Sequence, residues 1–556
     1  MNASSSVRVL CFGVALGALC SPGVSQLEYG GSPCPEDLLG AVEAPSLQFA
    51  ALNVEQLLAE DDARPKGSYR FGVIRSTDLG LRNGGVWQTL PNGDRLWRLR
   101  VASEGAFSLG PEFAEFELPP GALLFVYNDA REIVRGAYTA ANNKPNGQFA
   151  IQPTAGDAIT LEYLEPAAVA GRGRLQLSGV VHDYRDFVGH GVGLGHGPDG
   201  GSCNVDVNCA AGNPWRNQID SVIGVTQGGW ICTASLINNT ANDGRQLVMS
   251  ANHCGSYTNA VFLFNYQRSG CRSGPSPRNE SVQGSTLLAT GRTGDYRLVE
   301  LQEQIPASYS PYYNGWNRGS AVPADTFCVH HPSGCPKKIS FDNDPPARSG
   351  QYWRVRDWDV GTTEGGSSGS PLMDPNGRFI GQLCCGLAAC GNNFSDDYGA
   401  LNTYWSNVSR FLDPLGTGAT AIDGFDPDPL CTATVQAAAI ARNGSGINPA
   451  VFSQANPALI GRAWASSVDL SGFPGSHTFL MLASGADPGT PVGGPFVGEL
   501  LCRSPVVASP LGVGQHSVLV PADCSLAGAS FCAQALILVG RTRTFTNALD
   551  VTVGTF

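Results

Sequence analysis

The run "GTTEGGSSGSPLMD", residues 361–374, sets Ser367, Ser368 and Ser370 among glycines and closes them with Pro371. Glycines allow positive φ and a close approach by another chain. A serine hydroxyl is a poor nucleophile at neutral pH unless a base takes its proton, and that base needs an acid to orient it. Whether the run is a reactive loop or an ordinary tight turn depends on what else the chain supplies.

The histidines make the search for a base short. His182, His190 and His196 precede the central stretch, His477 and His516 follow it, and only His253, His330 and His331 share it with the serines. His253 lies in "LVMSANHCGS", just past a strand-like run and beside Cys254. The run "WICTASLI", with Cys232, comes about 20 residues earlier, and a Cys232–Cys254 bridge would hold the His253 turn against that strand. His330 and His331, in "VHHPSGCP", read as packing or turn residues. An acid stands in "TGDYRLVEL", where Asp295 opens an alternating strand. Taken singly, His253 is a core or surface histidine and Asp295 a turn cap.

Together the three residue types fall in the order His253, Asp295, Ser368 on a β-rich chain, and this order resembles that of chymotrypsin-like proteases. The resemblance implies an all-β, double β-barrel protease domain, with Ser368 as nucleophile in the "G-x-S-G-x-P" loop. The Gly366 and Ser368 N–H groups would then form the oxyanion hole, aimed at charge that develops in the transition state. The segments "GSCNVDVNCAAGNPWRNQIDSV", "SLINNTANDG", "VHHPSGCPKKIS" and "GQLCCGLAACGNNFSDDYGALNTYWS" resemble, more closely still, bacterial lysyl endopeptidases over residues 201–426. Upstream, "FELPPGALLFVYNDAREIVRGAYTAANNK" resembles that family's propeptide.

That likeness implies disulfides Cys203–Cys390, Cys209–Cys271 and Cys232–Cys254. It also implies a specificity pocket in which Asp396, of "SDDYGA", pairs with a substrate lysine; Asp397 is the neighbouring alternative. A carboxylate in a pocket is costly until a cation arrives, so it selects basic side chains. Three departures from the family pattern follow. Cys384 in "GQLCCG" stands where the family has a histidine near the substrate, and the loop "FDNDPPARSG" is shortened. Cys384 and Cys385, with Cys328 and Cys335, are candidates for one or two further bracing disulfides. No basic residue lies just before Gly201, the nearest being Arg185, and residue 367 is Ser rather than an activating Asp. Release of the propeptide by another protease is then the simple route. Finally, Lys66, Lys144, Lys337 and Lys338 are the only lysines among 35 basic residues. A coding bias toward arginine is the simpler reading; a lysine-cutting protease sparing itself is the other.

The length of 556 residues calls for several domains. Residues 1–25 have the layout of a secretory signal peptide, with an apolar core too short to span a bilayer. Residues 26–200 read as the β-rich propeptide, ending in "GHGVGLGHGPDGG", a linker rather than a zinc site at His190 and His196. Within the protease domain, 201–426, "YWSNVSRFLDPL" reads as a closing helix over 404–415, and "DGFDPDP" marks the boundary. Residues 427–556 read as a β-sandwich-like accessory domain in which Cys431, Cys502, Cys524 and Cys532 could make two disulfides. Of 17 cysteines two fall in the leader, and the fifteen others read as disulfide chemistry outside the cell with at least one left over. A net charge of −12 gives no basic face for nucleic acid. The expectation is a secreted, monomeric serine endopeptidase acting on proteins or peptides after lysine, without cofactor or metal, its last domain free to bind a surface or polymer. Arginine or another specificity, and a dead binding homologue, are the alternatives.

Overall fold

Period-two alternation of apolar residues shapes nearly all of this chain, because strands bury alternate side chains. The structure is a computed structural model describing residues 28–35, 39, 42–64, 66–189, 201–392, 394–427, 435–460, 463–520, 526–540 and 542–555. The expected leader, the His190/His196 linker and most of the 427–434 junction lie outside the described residues.

In the N-terminal part, strands Ser46–Phe49, Arg95–Ser103, Ala158–Glu165, Leu123–Asn128 and Val134–Tyr138 form one sheet in that order. A second sheet carries Ser108–Glu117, Arg174–Asp183 and Gly72–Gly80. Leu99, Val101, Leu124 and Val126 of the first sheet close on Phe113, Phe116 and Leu177 of the second. Each such side chain contributes about 1.5–3 kcal/mol on burial.

Between residues 205 and 425 the short runs make two more sheets. One joins Ser281–Gln283, Val261–Leu263, Val222–Gln227, Trp230–Leu236, Leu247–Ala251, Tyr296–Leu301 and Ser285–Gly291, antiparallel throughout. The other joins Val205–Asp206, Lys338–Asp342, Thr326–His330, Pro371–Met373, Phe379–Gly386, Asp396–Ala400, Tyr352–Val355 and Ala347–Ser349. Ile223, Val225, Phe262 and Val299 fill the first; Trp353, Leu372, Leu383 and Tyr398 fill the second. Two curled antiparallel sheets, each around its own core, are the chymotrypsin-like arrangement.

A helix seals the seam between them. It spans Leu401–Leu412, starting three residues before the expected 404. Leu401, Tyr404, Val408 and Leu412 lie three or four apart and so share one face. That face meets Leu247 and Tyr296 of one sheet and Trp316 and Phe379 of the other. It stops at Leu412 because Asp413 precedes Pro414, where helical backbone is disfavoured.

Past residue 435, strands Ala438–Arg442, Thr542–Thr552, Ser530–Val539, His477–Ala483 and Val506–Gly512 form one sheet, and Phe452–Gln454, Ala463–Val468 and Gln515–Leu519 another. Trp464, Leu480, Ile537 and Leu549 share the core between them, so the two sheets stack as a sandwich. Cys502 and Cys532 are bonded; Cys431 and Cys524 lie outside the described residues.

The N-terminal sheets dock on the barrels through buried charge. Lys144 Nζ lies 2.5 Å from Glu303 Oε1, both side chains almost fully buried, and Gln283 N donates to Glu303 Oε2 over 2.7 Å. Removing one partner of such a pair leaves an uncompensated buried charge. Lys144→Ala is therefore expected to cost about 3–5 kcal/mol, read from denaturant unfolding, and Lys144→Met with Glu303→Leu much less.

Candidate active site

Strand Trp230–Leu236 is the element on which the site is assembled. Its Thr233 N–H donates to Ser368 O (2.9 Å), and its Thr233 hydroxyl donates to Gly366 O (2.9 Å). The serine loop is thus gripped on both sides of residue 367. Two of its glycines are required. Gly366 has φ +89°, and an added Cβ would sit 2.7 Å from His331 O. Gly369 has φ +84°, and there a Cβ would lie 2.3 Å from Thr233 O.

The three serines are not equivalent. The Ser367 hydroxyl is committed, 2.8 Å from His330 Nδ1 and accepting from Glu364 N over 3.1 Å. Ser370 is fully buried. Ser368 lies between them in the chain, and Cys254 Sγ is 3.7 Å from Ser368 O and 3.9 Å from His253 Nε2.

His253 sits in the short turn Asn252–Cys254 that follows strand Leu247–Ala251. The Cys232–Cys254 bond, S–S 2.06 Å, ties this turn to the central strand. Asp295 holds His253 twice, at ring and backbone: its Oδ2 is 2.6 Å from His253 Nδ1, and its Oδ1 accepts from His253 N over 3.1 Å. Asp295 holds φ +48° just before Tyr296–Leu301, and its carbonyl accepts from Asn252 N and Gln382 Nε2. The acid, the ring and the loop therefore come from three elements braced on one another.

Beside this loop stands Asp396, whose side chain is fully buried. Its Oδ2 accepts from Trp358 Nε1 (2.9 Å) and from the Thr363 hydroxyl (2.5 Å). Its Oδ1 is 2.7 Å from an ammonium of the same chain, Lys66 Nζ, which also donates to Ala388 O (2.8 Å) and to Thr363 Oγ1. Burial holds the Lys66 ammonium below its ordinary pKa range, and the Asp396 charge opposes that shift. Asp397 faces elsewhere, in a two-point pair with Arg354 at 2.7 Å each. The Cys203–Cys390 bond (1.96 Å) fastens the loop that carries Ala388, and Cys209–Cys271 (1.91 Å) closes the other anticipated pair.

Cys384 stands half-exposed at the end of Phe379–Gly386, its sulfur 2.7 Å from Cys385 Sγ. None of the bracing disulfides anticipated among Cys328, Cys335, Cys384 and Cys385 is formed. Cys328 lies inside the second barrel core, away from the strand end that carries Cys384, and burial pushes its thiol up to about 12. Among the described residues no hydrogen bond joins Cys384 to Lys66. No group of three or more metal-ligating side chains occurs among the described residues. The residues not anticipated are Lys66, Trp358, Thr363 and Ala388. Thr363 and Ala388 lie in runs already singled out, though neither was given a role.

A model of the family described as "Lysyl endopeptidase, C-terminal domain" matches residues 198–400. A lysyl endopeptidase of Pseudomonas aeruginosa is 29% identical over 423 residues, covering 67% of this chain and 88% of that protein. A crystal structure of Rv3671c from M. tuberculosis, an inactive mutant form, aligns with 38% of this chain and 93% of that one, at 14% identity and a TM-score of 0.25; the fold rests instead on the strand pairing above.

Beneath the serine loop His331 stacks on Tyr266, ring centroids 5.3 Å apart, and donates from Nδ1 to Cys335 O over 2.9 Å. Burial pushes its pKa down to about 3, helped by the charges of Lys337 and Arg278. An unfolded imidazole titrates near 6.5, so below about that pH the unfolded chain takes up the proton first. This contribution to stability is full above about 6.5 and is lost as the pH falls toward about 3. Denaturant midpoints are expected to drop between pH 7 and 4, and less steeply in His331→Gln.

Proposed function

We propose that this chain, a lysyl endopeptidase-like peptidase, is a secreted serine endopeptidase that cuts peptide bonds after lysine. One observation carries the specificity: the Lys66 ammonium is met by three acceptors, Asp396 Oδ1, Thr363 Oγ1 and Ala388 O. An ammonium is a compact charge with three donors and matches that set one to one. A guanidinium spreads five donors over a flat fork and has no such match to a single convergent point. The pocket favours lysine for that reason.

In the proposed reaction Ser368 Oγ attacks the carbonyl after the pocketed lysine, and His253 Nε2 takes its proton. Asp295 keeps Nδ1 protonated and the ring aligned, and stabilises the imidazolium that forms. The tetrahedral oxygen is held by the Gly366 and Ser368 N–H groups. His253 then returns the proton to the leaving amine, an acyl group remains on Ser368, and water completes hydrolysis by the same steps. The disulfides support an extracellular setting, reached through the leader at 1–25, with residues 26–200 as a propeptide and 427–556 as an accessory domain.

Digestion of a denatured protein, read by mass spectrometry of the new C-termini, should return mostly lysine ends. A majority ending in neither lysine nor arginine sinks the pocket assignment. Ser368→Ala should keep only about 10³–10⁴-fold acceleration over water. Asp396→Asn should lose about 2–5 kcal/mol in kcat/KM on lysine substrates, since one half of a buried charge pair is gone.

A further inference from the structure

The lysine that fills the pocket belongs to the chain itself, and the residues after it continue through the cleft. Gly67 O accepts from Gly366 N over 2.8 Å. The Ser68 hydroxyl lies 3.2 Å from Cys232 Sγ. Tyr69 and Arg70 then pair antiparallel with Ile231 and Trp230, adding a strand to the first barrel, and Phe71 N and Gly72 N both donate to Gly229 O. The far end is anchored: Arg70 donates to Asp61 Oδ1 (2.7 Å) and Glu60 Oε2 (3.2 Å). Arg185 and Tyr184 hold the other oxygen of Asp61. No free substrate can enter while this strap is in place.

Its register is out of step with its charge. The carbonyl offered to the Gly366 donor is that of Gly67, yet the side chain in the pocket is that of Lys66. Cutting after a lysine requires the lysine's own carbonyl at the donors that stabilise the oxyanion. Here the Gly366 donor is taken by the next carbonyl along, that of Gly67, so the lysine side chain is held while a neighbouring bond stands at the donor.

We propose that residues 66–70 are a built-in lysine plug, a substrate-like strap bound one residue out of register, which keeps the site closed while the chain is uncut. The inference rests on the reading of Ser368 and Asp396 given under Proposed function and goes beyond it by assigning the first ligand of that site. The plug competes with substrate for both pocket and cleft, and the anchors at Asp61 and Glu60 make it intramolecular, hence at high effective concentration. Escape requires a cut elsewhere or detachment of the strap.

A small uncharged fluorophosphonate that labels reactive serines tests this on the full chain. Wild type should label slowly, and Lys66→Gln at least ten times faster. Arg70→Ala, which frees the far end while leaving Lys66 intact, should also label at least ten times faster and decides the matter if Lys66→Gln does not fold. Wild type cleaved between residues 189 and 201 and stripped of its N-terminal part supplies the reference rate. Fast labelling of that reference with neither variant faster than uncut wild type overturns the plug. A reference that does not label overturns the Ser368 reading, and the plug with it. Recovery of a chain beginning at Gly67 from uncut wild type overturns the register.

Discussion

A carboxylate buried as completely as that of Asp396 must find partners in place of its lost water, because a buried charge left unpaired is costly. Trp358 and Thr363 supply donors to one oxygen, and the other takes an ammonium. Two donors are not a full replacement for hydration, so the pocket is held in want of a cation. In the proposed function that deficit is the source of selectivity, because a neutral side chain entering the pocket would leave the charge unpaired. The surrounding architecture keeps the deficit from relaxing: Asp396 opens a strand paired on both sides, and the Ala388 loop is tied down by Cys203–Cys390.

The same logic of over-determination runs through the serine loop. Gly366 and Gly369 take positive φ at no steric cost, and Thr233, gripping the loop twice, and His330, holding Ser367, fix the turn they make. A non-glycine residue at positive φ persists only where the surroundings fix it. Asp295, itself at positive φ, is held by Asn252 and Gln382. Each reactive group thus depends on a neighbour from a different strand, and the helix Leu401–Leu412 locks the two barrels that carry them.

Much of this was legible in the sequence, and the parts that were not share a cause. Short alternating runs marked the strands because burial acts on every second residue, whatever the partner strand. The order His253, Asp295, Ser368 was legible because each residue sits in a local setting of its own: a cysteine neighbour, a strand start, a glycine loop. Lys66 had no such setting. It meets Asp396 across 330 residues of chain, and nothing in "RPKGSYR" distinguishes a docked lysine from an exposed one. Trp358 was hidden for the same reason. Cys384 stood out by substitution, but whether adjacent thiols bond depends on backbone geometry that residue types do not encode. The helix start moved from 404 to 401 because Leu401 completes the apolar face that the seam requires.

The central claim is that a buried charge at Asp396 reads an ammonium beside Ser368. Two matched peptides, one with lysine and one with norleucine before the scissile bond, isolate that ammonium, since the side chains are otherwise alike in length. On the chain freed of its strap, kcat/KM is predicted to favour lysine by at least about 30-fold, the lower end for a desolvated charge pair. Equal rates on the two peptides would contradict the account.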